Sequence, residues 1–215
     1  MSQCHKTTIK CPGCGAEYEV ELWDSINTSI NPDMKAKVRS GEVFTVYCPN
    51  CKHGTYLNYT MLYHQMEDHL MIWLSSGDTE EVIKQFERLK SGEGNIPYDK
   101  DYIFRVVTDR DRFIEKLMIF DCGYDDRIIE LMKFFAAKAL EDGDSSKAPE
   151  DIYFDCSNPE GYRWLLDYPD GQSGWAEFDQ GLYDFVSASW MSDVENEDSV
   201  VIDGYWAYKM IESAL

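Results

Sequence analysis

The sequence predicts an α+β fold: an N-terminal four-cysteine zinc ribbon with a helical insertion, packed on a helical and β-rich C-terminal region. Two observations carry this prediction. Cysteines recur in two CPxC turns, KCPGCG and YCPNCKHG. The hydrophobic pattern also alternates along the chain between the helical period and the strand period of two. Of the 215 residues, 44% are hydrophobic, which is enough to bury a sizeable core.

The two CPxC turns form the candidate metal site. Two cysteines separated by two residues can aim both sulfurs at one point, and two such turns supply the four thiolates of a tetrahedral zinc ion. Four thiolates close the coordination sphere, so the predicted role of the zinc is structural. A redox dithiol is the competing interpretation, although redox pairs of the thioredoxin type are single. The predicted Zn²⁺ ligands are Cys11, Cys14, Cys48 and Cys51.

The elements around the two turns follow from local patterns. Residues 16–22 alternate between apolar residues and glutamates, as in a half-buried strand. Asn31 and Pro32 start a short helix, and Gly41 ends it. This insertion explains why Cys14 and Cys48 are further apart than in the simplest ribbons. Strands are predicted at 43–47 and 55–59, and residues 61–74 are predicted as a helix or as a helix leading into a strand.

Beyond residue 75, the helical period and the strand period alternate again. Residues 1–75 are assigned to the zinc-ribbon region and residues 76–215 to an acidic α+β region, either separate from the first or continuous with it. Breaks are predicted at 91–97 and 142–149. Helices are predicted after residue 78 and at 109–120, 125–140, 182–190 and 204–215, with strands at 102–107 and in DIYFDCS, YRWLLDY and SGWAEFD.

Charge is distributed unevenly between these regions. Residues 1–75 carry 6 basic and 8 acidic residues, a net of −2, whereas residues 76–215 carry 14 and 32, a net of −18. A field of that sign repels phosphate, so nucleic-acid binding is disfavoured and a basic protein partner is predicted. Solubility is the alternative explanation of the acidity. The chain shows no export signal and no apolar run long enough for a membrane span, so a cytoplasmic location is expected. No sequence feature predicts an oligomeric state.

Three segments resemble the CpXC domain family, which is named for its CPxC motif. They are CPGCGAEYEVELWDSINTSINPDMKAKVRSGEVFTVYCPNC, LYHQMEDHLMIWL and FIEKLMIFDCGYDDRIIELMK. The resemblance covers about residues 9–135 and implies a zinc-ribbon-like fold without a specific activity. One departure is Gln65, because the resemblance implies an acidic residue after the histidine of YH.

The leading functional hypothesis is a non-enzymatic intracellular zinc-binding protein that acts as a binding or scaffold module. The alternative is a hydrolase or transferase that uses His64 with carboxylates such as Asp125 or Asp126, near Arg127. A zincin-type metalloprotease is disfavoured because the histidines of HQMEDH are five residues apart and not four. Asp125 and Asp126 also have a structural interpretation at the start of a helix.

Other reactive or aromatic side chains have mainly structural interpretations. Cys4 and His5 are expected to be mobile and unliganded, with an auxiliary pair of metal ligands as the alternative. His53 either faces solvent or hydrogen-bonds a sulfur. Cys122 and Cys156 are interpreted as small buried hydrophobic residues. Four tryptophans are assigned to the core, with a C-terminal groove as the alternative: Trp164, Trp175, Trp190 and Trp206.

Overall fold

A computed structural model describes residues 2–77, 79–91, 101–144 and 148–214. The chain divides into two compact units, residues 1–114 and 115–215. The boundary predicted between residues 75 and 76 lies inside the first of these units. Both units mix helices and strands, which confirms the α+β class. Within the described residues, no helix combines the length and the apolar character needed to cross a membrane.

The first unit is built on a five-stranded mixed sheet in the order β1-β2-β5-β6-β7. The β1-β2 and β5-β6 pairs are antiparallel, and the β2-β5 and β6-β7 pairs are parallel. The strands of this sheet are β1 (Gln3–Lys10), β2 (Glu17–Asn27), β5 (Met61–Gln65), β6 (Leu70–Leu74) and β7 (Ile103–Val107).

A small second sheet and two helices complete the elements assigned to the first unit alone. Strands β3 (Thr45–Tyr47) and β4 (Gly54–Tyr56) pair antiparallel and flank the second CPxC turn. Helix α1 (Met34–Arg39) is the predicted insertion; it begins after Asp33, two residues later than the predicted start at Asn31. Helix α2 (Thr79–Lys90) lies between β6 and β7.

The prediction of a helix over residues 61–74 is wrong, and of the alternative, a helix leading into a strand, only the strand is present. This segment forms the antiparallel hairpin β5–β6, whose turn is a short 3-10 helix ending at His69 in the left-handed conformation, with φ 49°. Both strands bury every second residue, so each has the period of a strand. The apolar character of the whole segment hid two short alternating patterns, since a buried strand and a buried helix are equally apolar.

The N-terminal segment is also more ordered than the sequence indicates. Strand β1 pairs along its full length with β2, and His5 Nδ1 lies 2.9 Å from a carboxylate oxygen of Asp24. Cys4 lies in the same strand and is exposed. The expectation of a mobile terminal pair is therefore wrong, because cross-strand pairing with β2 holds both residues.

The second unit packs helices on one face of a three-stranded antiparallel sheet, in the order β10-β9-β8. Helix α3 (Arg110–Asp121) begins in the first unit and ends in the second. The remaining elements are α4 (Asp126–Asp144), β8 (Asp151–Asp155), β9 (Arg163–Asp167), β10 (Ser173–Glu177), α5 (Gln180–Val194) and α6 (Gly204–Ala214). All of them lie within a few residues of their predicted positions, because their periodicity is long and regular. The predicted breaks at 91–97 and 142–149 lie largely outside the described residues.

Candidate metal centre

The two CPxC turns have the same backbone hydrogen bonds. In the first, the Cys11 amide donates to the Ala16 carbonyl and the Gly15 amide donates to the Cys11 carbonyl, at 2.8 and 2.9 Å. In the second, the Cys48 amide donates to the His53 carbonyl and the Lys52 amide donates to the Cys48 carbonyl, at 3.0 and 2.9 Å. The two turns therefore fold back on their first cysteine at equivalent positions.

This shared geometry requires a left-handed residue directly after the second cysteine of each turn. That residue is Gly15 in the first turn, with φ 75°, and Lys52 in the second, with φ 61°. Glycine adopts this conformation without steric cost, whereas lysine does not. The glycine that follows the second turn, Gly54, lies two residues too late to serve this purpose and belongs to β4.

The four predicted cysteines come together at one point. Their Sγ atoms all lie within 4.8 Å of one another. The Sγ atoms of Cys11 and Cys51 are 3.6 Å apart, those of Cys14 and Cys48 are 3.7 Å apart, and all four residues are free thiols. A Zn–S bond of about 2.3 Å in tetrahedral geometry gives S···S edges of about 3.8 Å. The site therefore fits a tetrahedral metal ion of about this size.

The pKa values of the two exposed thiols, Cys14 and Cys51, shift in opposite directions. A hydrogen bond from the Ala16 backbone is the main reason that the pKa of the Cys14 thiol falls to about 6, and contacts with Cys51 and Asn50 contribute. A backbone hydrogen bond at His53 lowers the pKa of the Cys51 thiol. Its contacts with the other three thiols, together with desolvation, outweigh that effect and raise this pKa to about 12. Thiolates this close repel one another, and a bound cation removes that repulsion.

The site has a buried side and an exposed side. Cys11 and Cys48 are buried, whereas Cys14 and Cys51 are exposed. On the exposed side, the Asn50 side-chain amide donates to the Cys14 sulfur at 3.6 Å, which links the second turn to the first. His53 is also exposed, which agrees with the interpretation that it faces solvent. Among the described residues, the four cysteines form the only group of three or more potential ligands close enough to share one metal ion.

His64 lies in β5 and hydrogen-bonds a tyrosine. Its Nε2 atom lies 2.8 Å from the Tyr102 hydroxyl, and the Tyr102 ring stacks on His69. Burial lowers the pKa of His64, because the charged imidazolium is less well solvated there. The two histidines of HQMEDH therefore contact one tyrosine from a hairpin, and not from the helix that a zincin motif requires.

Asp125, Asp126 and Arg127 are engaged in structural contacts within the second unit. Arg127 lies 2.6 Å from Asp125 and donates to the Val194 carbonyl. Asp126 is fully buried and forms an ion pair with Lys116 at 3.0 Å. The hydrolase or transferase hypothesis built on these residues and His64 stays a prediction.

Sequence reasoning missed a buried charge cluster between α3 and α4. Lys116 also lies 3.3 Å from a carboxylate oxygen of Glu130, and Lys133 contacts Glu115 and Glu130 at 2.5 and 3.0 Å. Together with Asp126, these residues are no more than 6% exposed. A single-sequence pattern assigns charged helix positions to the surface, and only the packing of the two helices reveals that they are inside.

Comparison with known proteins adds one family. The family model described as CpXC protein matches residues 9–133, more than half of the chain. The match contains both CPxC turns, all strands of the first unit from β2 onward, and the helical segment that carries the buried charge cluster. None of the curated proteins matches the chain, and none of the solved structures does.

Proposed function

This chain belongs to the CpXC protein family, and we propose that it is a zinc-binding module whose metal is structural. The observation that carries the proposal is the meeting of four free thiols, with Sγ separations of 3.6 and 3.7 Å in two of the pairs. Thiolate ligands in a tetrahedral arrangement favour Zn²⁺ or iron over harder cations. Four protein ligands leave no position for a reacting water molecule, which is typical of structural zinc.

The second part of the proposal is a basic protein partner. Residues 115–215 carry 7 basic and 23 acidic residues, a net of −16, against 13 and 17 in residues 1–114, a net of −4. Every basic side chain described in the second unit already pairs with a carboxylate of that unit, so these cations do not offset the net negative charge. The paired residues are Lys116, Arg127, Lys133, Lys138, Arg163 and Lys209.

The charge distribution also supports the choice of partner class. A surface with an uncompensated negative field attracts basic proteins and repels nucleic-acid phosphates. We include a cytoplasmic location in the proposal, because four free thiols stay available for metal only in a reducing compartment.

The zinc proposal is tested by metal analysis of the full-length protein purified without chelator. Native mass spectrometry is expected to find one Zn²⁺ per chain, and Co²⁺ replacement is expected to give the absorption bands of tetrahedral thiolate coordination. The Cys48→Ser variant should lose both signals. Cys122→Ser, which changes a cysteine outside the cluster, should keep them. Protein that carries no metal under these conditions would contradict the proposal.

The partner proposal is tested separately with a lysine homopolymer as the probe. Binding is expected at low salt and should weaken strongly as ionic strength rises, because the attraction acts between exposed charges. A glutamate homopolymer of equal length serves as the control and should not bind. Salt-independent binding, or no binding at low salt, would contradict this part without affecting the zinc site.

A further inference from the structure

The three-stranded sheet of the second unit has one buried and one exposed face. Cross-strand partners share a face, so the register and the burial of each strand define both. Ile152, Phe154 and Trp164 lie on the buried face, against the core formed with the helices. Trp175 lies on the opposite face and is 52% exposed. Trp164 therefore belongs to the core, as predicted for all four tryptophans. Trp175 instead fits the alternative, in which an exposed tryptophan lines a groove.

Among the described strands, none pairs with one edge of this sheet, whereas the other edge is covered. At the β8 edge, the Phe154 amide donates to a carboxylate oxygen of Glu115 at 2.6 Å. Among the described residues, β10 pairs only with β9. The Phe178 amide donates to the Tyr162 carbonyl and the Tyr168 amide donates to the Gln172 carbonyl, and both bonds continue the β9–β10 ladder.

Those two bonds fix which backbone groups point outward. Antiparallel ladders alternate between hydrogen-bonded and non-hydrogen-bonded pairs. Because the pairs 162–178 and 168–172 are hydrogen-bonded, Gly174 and Ala176 point their amides and carbonyls toward β9. Ser173, Trp175 and Glu177 point theirs away from the sheet. An incoming extended strand would meet these three residues and extend the sheet.

The exposed face beside this edge is suited to a guanidinium group. Arg163 stacks 3.6 Å above the centre of the Trp175 ring, and its Nε atom lies 2.7 Å from Asp155. This contact shows that the face holds a guanidinium between an aromatic ring and a carboxylate. The cross-strand partners of Arg163 and Leu165 on β10 are Glu177 and Trp175, which are both exposed.

A cleft continues from the same end of the edge strand. It has a volume of about 520 Å³, which is enough for one long side chain. Its lining combines carboxylates and aromatic rings with the guanidinium of Arg163, and Glu177 belongs both to the cleft and to the edge of β10. The lining includes Glu160, Tyr162, Glu177 and Phe178.

We propose that β10 takes up an extended, arginine-containing segment of a partner protein as a fourth strand, with arginine side chains on the Trp175 face. This inference rests on the proposed preference for a basic protein partner and identifies the surface that would bind it. A second copy of the chain is a poor occupant, because each second unit carries a net charge of −16 and the two would repel. Alternation of the bound strand would place every second side chain on the carboxylate-bearing face.

The test uses the zinc-loaded full chain and a peptide of three Arg-Val repeats with a neutral fluorescent label. Binding is measured by fluorescence anisotropy at low salt. A peptide of the same composition in block order, three arginines followed by three valines, has the same charge without alternation. Two further versions carry N-methyl groups on the arginine amides or on the valine amides. Only one of these two sets of amides can face β10 in a strand addition.

The alternating peptide is expected to bind about tenfold more tightly than the block peptide, because ladder hydrogen bonds supply affinity in strand addition. One N-methylated version should lose binding and the other should keep it. Trp175→Ala should weaken binding about fivefold through the lost cation–π contact, and Glu177→Gln should also weaken it. Tyr205→Ala and Asp193→Asn, which change an exposed aromatic and an exposed carboxylate elsewhere in the unit, should have no effect.

The outcomes separate this inference from the wider partner proposal. If both N-methylated peptides bind equally, or if the Trp175 and Glu177 variants bind like the two controls, the edge-strand inference is overturned. The proposal of a basic protein partner then survives as long as binding depends on salt. If no arginine peptide and no lysine homopolymer binds, both fail. Hydrogen exchange gives an independent check, because the amides of residues 175 and 177 should become protected only in the complex.

Discussion

The first unit gathers four sulfur atoms within 4.8 Å of one another, whereas the second unit buries five charged side chains between α3 and α4. Both arrangements crowd acidic groups together, four thiols in the first unit and three carboxyl groups in the second. The second unit supplies its own compensating charges, Lys116 and Lys133. In the first unit, the compensating charge would come from the zinc ion that we propose for the cysteine cluster. Under that proposal, the stability of the first unit depends on metal supply and that of the second does not.

The largest expected effect is the loss of the metal. Structural zinc contributes on the order of 10–16 kcal/mol of binding free energy, which matches the whole net stability of about 5–15 kcal/mol of a typical domain. Stripping the protein with chelator, or the change Cys48→Ser, should unfold the CPxC turns and the β3–β4 sheet. Hydrogen exchange should show loss of protection there, while amides of β8 and β9 stay protected. If both units lost protection together, the predicted difference in metal dependence between them would be wrong.

Removal of one internal cation is the matching test in the second unit. Lys116→Met keeps the length of the side chain but leaves Asp126 and Glu130 without this buried cation. Loss of one partner from a buried ion pair costs about 3–5 kcal/mol, so urea unfolding should occur at much lower denaturant. Zinc content should be unchanged.

Lys138→Met is the control for that variant. Lys138 pairs with Glu141 at 3.1 Å on an exposed helix surface, and an exposed pair is worth less than about 1 kcal/mol. Equal destabilisation by the two variants would mean that the buried cluster has no special role in stability.

The same cluster should make the second unit sensitive to pH. Burial raises the pKa of Glu115, which opposes the lowering effect of Lys133. A carboxyl group whose folded-state pKa is raised contributes stability below its ordinary value of 4.5, and this contribution is lost as the pH rises through the raised pKa. Protonated Glu115 also leaves two lysines facing two carboxylates in the cluster.

The free energy of unfolding should therefore fall, for this group, as the pH rises above 4.5. Glu115→Gln should flatten the dependence, and the difference between wild type and variant isolates the group from other carboxylates. Glu141→Gln, at an exposed position, should leave the slope as it is. An unchanged slope in Glu115→Gln would show that the pKa of Glu115 is the same in the folded and unfolded states, and would contradict this prediction.

The cysteine cluster and most elements of the second unit could be predicted from the sequence because their signals are local. A CPxC turn brings two sulfurs together without help from distant residues, and helix α4 shows its apolar stripe within its own length. The β5–β6 hairpin could not be distinguished from a helix, because its turn contains neither glycine nor proline and uses His69 in the left-handed conformation instead. A turn that is built without the usual turn residues leaves no turn signal in the sequence.

The buried charge cluster and the free β10 edge could not be predicted for a different reason. Lys116 and Glu130 are 14 positions apart in the sequence, and their contact exists only because α3 and α4 pack together. In the same way, the sequence predicts that β10 is a strand but does not show that β10 lies at the edge of its sheet. Both features arise from tertiary packing, on which periodicity carries no information.

The smallest expected effect compares the two CPxC turns with each other. Gly15 and Lys52 occupy equivalent left-handed positions, so the same backbone geometry is met by a glycine in one turn and by a strained lysine in the other. Gly15→Ala should destabilise the first unit by about 1 kcal/mol, because a Cβ atom is disfavoured in this conformation. Lys52→Gly should relieve that strain and stabilise the unit by a few tenths of a kcal/mol to about 1 kcal/mol, since glycine's greater freedom in the unfolded chain offsets part of the gain.

Zinc affinity measured by chelator competition should change in the same directions, and unfolding of the second unit should not change. The two variants need not change stability by the same amount. If Gly15→Ala stabilised the unit, or if Lys52→Gly destabilised it strongly, the two turns would not be equivalent.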